Sequence, residues 1–154
     1  MSLLDGKVAI VSGAAQGLGE AFARALSEQG AQVLAFDVQD KIASVAESIE
    51  GATGNRVLGI QADVSKREDV ERVVATAVEA FGGLDVLVNN AGTWKRTPVD
   101  SSWEQTLADW DFIMDTNLKG LLMLSRACVP HLQARGAGDI VNISTYYVLP
   151  AKSE

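Results

Sequence analysis

Cysteine, proline, histidine and positive charge are all scarce in this 154-residue sequence. There is a single cysteine, Cys128, with three prolines and one histidine. One cysteine rules out an internal disulfide framework and fits a reducing compartment, so a cytoplasmic location is expected. Thirteen Lys and Arg stand against twenty Asp and Glu, a formal charge of −7. With no basic cluster anywhere, that balance argues against nucleic acid or an anionic membrane as a partner. Long apolar runs are missing too. The most apolar, Leu118 to Leu124, is broken by Lys119 and Gly120 and is far too short to span a bilayer. The amino terminus, Met1-Ser2-Leu3-Leu4-Asp5-Gly6-Lys7, has the form of neither a signal peptide nor an anchor. His131 and Cys128 lack partners at metal-ligand or nucleophile spacing, so no metal site is expected.

What remains is ordinary for a soluble domain: 47% hydrophobic and 21% charged residues. A chain this long can bury roughly 68–70% of its unfolded surface in one core. Strand and helix patterns alternate along it. Strands are expected at Val8–Val11, Val33–Asp37, Arg56–Gln61, Leu84–Val88 and Asp139–Ser144. A helix from Gly17 to Gln29 presents Leu18, Ala21, Phe22, Ala25 and Leu26 on one face, with Gly30 as its C-cap. A second helix runs from Asp40 to Ile49 and closes at Gly51. A third carries Val70, Val73, Val74, Ala77, Val78 and Phe81 at helical spacing. After a short helical piece near Trp103, a long helix covers about Trp110 to Gln133. The strands are continuous apolar runs, as expected of parallel strands covered on both faces. Right-handed crossovers then give a doubly wound parallel sheet, a three-layer αβα single domain. On the long helix Leu118, Leu121, Leu122, Met123 and Leu124 point nearly all round, which predicts burial on both sides and favours a subunit interface over a deep core position.

The chemistry begins at Ser12-Gly13-Ala14-Ala15-Gln16-Gly17-Leu18-Gly19, between the first strand and the first helix. Strand, glycine-rich turn, helix, strand, acid is the layout of a dinucleotide-binding βαβ unit. Glycines permit the tight turn and bring backbone N–H groups to a pyrophosphate at the positive end of the helix dipole. Asp37, ending the second strand, can accept both ribose hydroxyls of an NAD adenosine half while its charge repels a 2′-phosphate. Gln16 stands where a basic residue would favour NADP, and Val38 follows the acid, so NAD is expected over NADP. Asp37 could instead be a helix cap or a solvated acid. Asp63 and Val64 lie just past the third strand, beside the expected adenine site, and Asp63 could equally cap the next helix.

Together with Asn89-Asn90-Ala91-Gly92, Asn117-Leu118-Lys119-Gly120 and Ile140-Val141-Asn142-Ile143-Ser144, these motifs make the whole chain resemble the short-chain dehydrogenase/reductase family. The resemblance implies that Gly13, Gln16, Gly17, Leu18 and Gly19 surround the pyrophosphate and that Asp37 selects NAD. It implies that Asp63 and Val64 contact adenine, and that Asn90, Ala91 and Gly92 line the cofactor's path. An Asn-Asn turn with a purely structural role is the alternative there. Asn117 matches the family's helix asparagine, whose backbone carbonyl is thought to hold a relay water. On residue type alone it reads as a satisfied core polar group.

Two departures stand out. The family's catalytic serine is the second of a Ser-Ser pair; here the pair is Ser144-Thr145, so the role falls to Thr145 with Ser144 before it. A threonine hydroxyl can donate to a substrate oxygen, but its branched Cβ restricts its aim. The family then continues with Tyr-x-x-x-Lys, which does not occur before Glu154. Tyr147 and Lys152 are spaced five apart with Pro150 between them, which does not align them on one helical face. The chain is therefore expected to lack the C-terminal part of the family fold. The reading that follows is an oxidoreductase moving a hydride between NAD(H) and an alcohol or carbonyl substrate. The alternative is a catalytically silent NAD-binding sensor or scaffold. Trp94, Trp103, Tyr146 and Tyr147 suggest an aromatic-walled entrance.

Overall fold

In the computed structural model, which describes residues 2–144, the apolar runs form five strands: β1 (Val8–Ser12), β2 (Gln32–Asp37), β3 (Val57–Gln61), β4 (Val86–Asn89) and β5 (Asp139–Asn142). They are joined by α1 (Gly17–Glu28), α2 (Ile42–Thr53) and α3 (Arg67–Phe81). A longer helical run follows, made of α4 (Trp103–Met114), a π-helical segment (Asp115–Gly120) and α5 (Leu121–Ala134). The sheet order is β3-β2-β1-β4-β5, and every pairing is parallel, with Val8 opposite Gln32, Ala9 opposite Val86 and Leu87 opposite Ile140. This is the expected doubly wound α/β architecture.

Successive strand residues point to opposite faces, so each strand feeds two cores. Val8, Ile10, Leu34, Phe36 and Leu87 meet α3 and α5 through Val70, Val73, Leu124 and Cys128. Ala9, Val11, Val33, Ala35 and Val88 meet α1 and α2 through Ala23, Ile42, Ala46 and Ile49. The smaller strand residues lie on the α1 side, and this accounts for a difference from the sequence expectation. The fully buried stripe of α1 is Gly19, Ala23 and Ser27; of the expected face, Phe22 and Leu26 pack against the core only in part, and Leu18, Ala21 and Ala25 are exposed. Small side chains let α1 seat closely on the sheet, while Leu18 stays 64% exposed.

Helix α2 runs through Gly51 and ends at Gly54, whose φ of +73° makes the left-handed turn that Gly51 was expected to supply. The long helix starts at Trp103 rather than Trp110, because Ser102 caps it by accepting the Gln105 N–H at 3.2 Å. Among the described residues, only one side of it is covered. Leu124, Cys128 and Leu132 are buried, whereas Leu118 and Leu122 are 57% and 64% exposed, so the expected burial on both sides is not met among the described residues.

Candidate nucleotide-binding cleft

The carboxyl ends of β1, β2 and β4 open into a cleft of about 600 Å³ at the point where the strand order reverses on either side of β1. Crevices of this kind are where open α/β sheets take ligands. Ten residues singled out from sequence line it: Gly13, Gln16, Gly17, Leu18, Asp37, Asp63, Val64, Asn90, Ala91 and Gly92.

The floor is the turn from β1 into α1. Gly13 and Gly17 have φ of +66° and +60°, a region that side chains disfavour. Among the described residues, nothing beyond its own turn of helix lies within 4 Å of where a Gly17 Cβ would sit, so its backbone faces open space. The α1 N-cap, Gln16, makes no side-chain cap bond. Among the described residues, the first N–H groups of α1 thus have no side-chain acceptor, which suits an anion. Gly19 is outside the cleft lining and serves the turn from below. A Cβ there would stand 2.0 Å from the Gly13 carbonyl oxygen and 2.6 Å from Asn90 Nδ2.

Asp37 is buried and fastened at both oxygens. Oδ2 accepts the Ala15 N–H and Oδ1 accepts the Gln39 N–H, each at 3.0 Å. Lys41, which the sequence reading passed over, donates from Nζ to Gln16 Oε1 at 3.2 Å at the same end of the cleft.

Asp63 lines the cleft but does not cap α3, whose N-cap is Lys66 with no side-chain cap bond; it folds the turn before the helix instead. Its Oδ1 accepts both the Ser65 N–H at 2.9 Å and the Ser65 hydroxyl at 2.7 Å. Its own N–H donates to Asp69 Oδ2 at 2.9 Å, and that bond, with the Arg72 guanidinium, holds the Asp69 carboxyl below the usual carboxylate range. Asp69 was missed because nothing local marks a residue six positions on as the anchor of this turn.

Asn90 ties the end of β4 to the glycine turn. Its Nδ2 donates to the Ser12 and Gly13 carbonyls at 3.0 and 3.1 Å. Ser12 Oγ in turn accepts the N–H groups of Asn90 and Ala91, both at 3.0 Å, a side-chain role that its place at the head of the glycine motif does not announce. Asn89, one position earlier, donates to Ser125 Oγ and Asn142 Oδ1 at 2.9 and 2.8 Å.

On the other wall, Asn117 lies in the π-helical segment, outside the cleft lining. Its Oδ1 accepts the Thr93 N–H at 2.7 Å and its Nδ2 donates to the Thr93 carbonyl at 2.9 Å. A π turn inserts a residue into the helical repeat and re-aims its side chains, a feature common at functional sites. Phe112, Asp115 and Thr116 complete this wall. Ser144 is exposed and does not line the cleft; Thr145, Tyr146, Tyr147 and Lys152 lie outside the described residues. Cys128 is buried in the core, and burial pushes its thiol up to about 12.

Residues 7–149 match the sequence pattern described as short chain dehydrogenase. The chain is 36% identical over 145 residues to oxidoreductase UcpA of Salmonella typhimurium, covering 94% of this chain and 54% of that protein. It is 34% identical over 146 residues to an uncharacterized oxidoreductase of Staphylococcus aureus, covering 94% of this chain and 61% of that one. A crystal structure of a candidate short-chain alcohol dehydrogenase from Sinorhizobium meliloti 1021 superimposes with a TM-score of 0.81 at 38% identity. It covers 90% of this chain and 54% of its own. The chain thus spans just over half the length of the relatives it matches.

Proposed function

The chain belongs to the short-chain dehydrogenase family, and on that footing we propose that its cleft holds NAD(H) for an oxidoreductase acting on an alcohol or carbonyl substrate. Family membership implies a nicotinamide cofactor; the preference for NAD over NADP rests on Asp37. Its two backbone partners occupy two of about four acceptor sites on the carboxylate, leaving others for ribose hydroxyls. Its negative charge disfavours a 2′-phosphate in the same place.

The cleft residues divide the work of holding the cofactor. The open backbone at Gly17 and the uncapped start of α1 would receive the pyrophosphate. Val64 and the Asp63 turn border the adenine side, and Asn90 keeps the glycine turn in place from below. When bound, a nicotinamide supplies or accepts the hydride, and the protein contributes orientation and proton donors. Thr145 would donate to the substrate oxygen, with Ser144 beside it in sequence, and Asn117 fixes Thr93 in the segment after β4.

The oxidoreductase names of the relatives support turnover over silent binding. The exposed Leu118 and Leu122 on the long helix support a homo-oligomer assembled through that face. Among the described residues no helix is long and apolar enough to cross a membrane, and a cytoplasmic location is part of the same proposal. The test is hydride transfer by the full-length protein against a panel of alcohols and carbonyl compounds, followed by NADH absorbance. Turnover with NAD(H) faster than with NADP(H) is expected. Cofactor binding with no turnover on any substrate would favour the silent binder.

A further inference from the structure

Helix α4 buries one residue, and that residue is a carboxylate. Asp109 is 2% exposed, while Trp103 and Trp110 on the same helix are 79% and 60% exposed. A buried charge is costly unless paired and hydrogen-bonded. Asp109 meets three donors: Lys95 Nζ at 2.6 Å, Thr97 Oγ1 at 2.9 Å and Gln105 Nε2 at 2.6 Å. Two of them belong to the irregular segment between β4 and α4, which also carries the cleft residues Gly92 and Thr93. Lys95 also lies 5.7 Å from the centre of the Phe112 ring, and Phe112 lines the cleft from the helix side.

Asp109 is buried while the Lys95 side chain is half exposed, and such a pair is weak evidence for added stability. What it supplies is a fixed geometry. Thr93 is held by Asn117 at both polar ends of its backbone, and two residues later Lys95 is held by Asp109. The strap and the helix therefore form one wall with two fastenings, and only one of these, Asn117, belongs to a motif read from the sequence.

We propose that Asp109 is a positioning residue that fixes the 92–97 strap against α4 and so sets the far wall of the cleft. The effect on cofactor affinity rests on the NAD(H) reading above; the effect on the strap does not. The Lys95 ammonium, together with Thr97 and Gln105, also holds the Asp109 carboxyl below the usual carboxylate range, so the fastening stays charged at neutral pH.

The experiment uses the full-length protein and its Asp109→Asn, Lys95→Met, double and Thr97→Val variants. Amide hydrogen exchange is measured without ligand, and NADH affinity by fluorescence titration. Asp109→Asn and Lys95→Met should each speed exchange across 92–97 and weaken NADH binding by roughly tenfold, the scale of one lost charge-assisted bond. Exchange in β1 and β2 should stay as in the unaltered protein. Because the two residues act through one contact, the double variant should lose little more than Asp109→Asn alone. Thr97→Val, which spares the ion pair, should shift both readouts the same way by less. Unchanged exchange across 92–97, or loosening spread equally through the sheet, would overturn the proposal. Faster exchange in the strap with unchanged NADH affinity would overturn its role in the cleft. If the unaltered protein does not bind NADH, the cofactor reading fails by itself, and the exchange data still decide whether Asp109 sets the wall.

Discussion

Asp37 Oδ2 accepts the Ala15 N–H at 3.0 Å, fastening the acid at the end of β2 to the turn that leaves β1. One contact thus joins the two parts of the cleft expected to meet the ribose and the pyrophosphate. Replacing Asp37 with Asn keeps the size but gives up the charge. NADH affinity should fall about tenfold or more, as for a lost hydrogen bond to a charged group. NADPH affinity should rise, because the repulsion of a 2′-phosphate is gone. Fluorescence titrations with both nucleotides read the ratio, and an unchanged ratio would remove Asp37 from cofactor selection.

Two glycine-to-alanine changes should act in opposite directions. A Cβ at Gly19 would stand 2.0 Å from the Gly13 carbonyl oxygen, and that backbone cannot move without opening the turn. Gly19→Ala should lower stability by roughly 1–3 kcal/mol, the usual cost of overpacking, and abolish nucleotide binding. Gly51 sits inside α2 with nothing within 4 Å of its added Cβ. Gly51→Ala should raise stability by about 0.5–1 kcal/mol through helix propensity. Urea denaturation midpoints of the two variants test the contrast.

Much of this was legible before the structure because it is local. An apolar run such as Val8–Val11, the glycine turn after it and Asp37 at the next strand end all lie within thirty or so positions and follow one pattern. Gly51 and Gly54 are both glycines near a fading helical pattern, so the sequence places the helix end at Gly51, and only the backbone angle picks out Gly54. Helical periodicity finds Phe22 and Leu26, which pack in part, but not the seating of α1 on Gly19, Ala23 and Ser27, because it ranks positions by hydrophobicity whereas close packing selects for smallness. The fastenings of the far wall were illegible for another reason: Asn117 reaches Thr93 from 24 positions away, through a π turn that no residue pattern announces.

At the opposite end of the sheet, Asp85 accepts from Lys7 Nζ at 2.9 Å, from the Val8 N–H at 3.0 Å and from Arg135 Nη2 at 2.9 Å. Burial alone would raise its pKa, but the bonds from Arg135, Lys7 and Val8 outweigh that and hold the carboxyl below the usual range. A depressed folded-state value stabilises the fold above the unfolded-chain pKa, near 3.9. That contribution is lost as pH falls through the lower, folded value. Stability should therefore fall on acidification below about pH 4, and Asp85→Asn should flatten that part of the curve while lowering the plateau at neutral pH. A variant with the same acid limb as the unaltered protein would show that other carboxylates carry it.

Cys128 should be chemically silent in the folded protein. It is fully buried against the sheet, and its thiol is pushed up to about 12 by burial. At pH 8 a thiol reagent should modify it only after denaturant is added, since the thiolate is the reactive form. Rapid labelling of the native protein would mean that α5 opens far more readily than its packing implies.

The central claim, that this cleft takes NAD(H), is tested most directly by titrating the full-length protein with NADH and NADPH side by side and following nucleotide fluorescence. Saturable NADH binding, tighter than NADPH binding, is the predicted result. Equal or tighter NADPH binding would contradict the role given to Asp37, and no binding of either would contradict the assignment of the cleft.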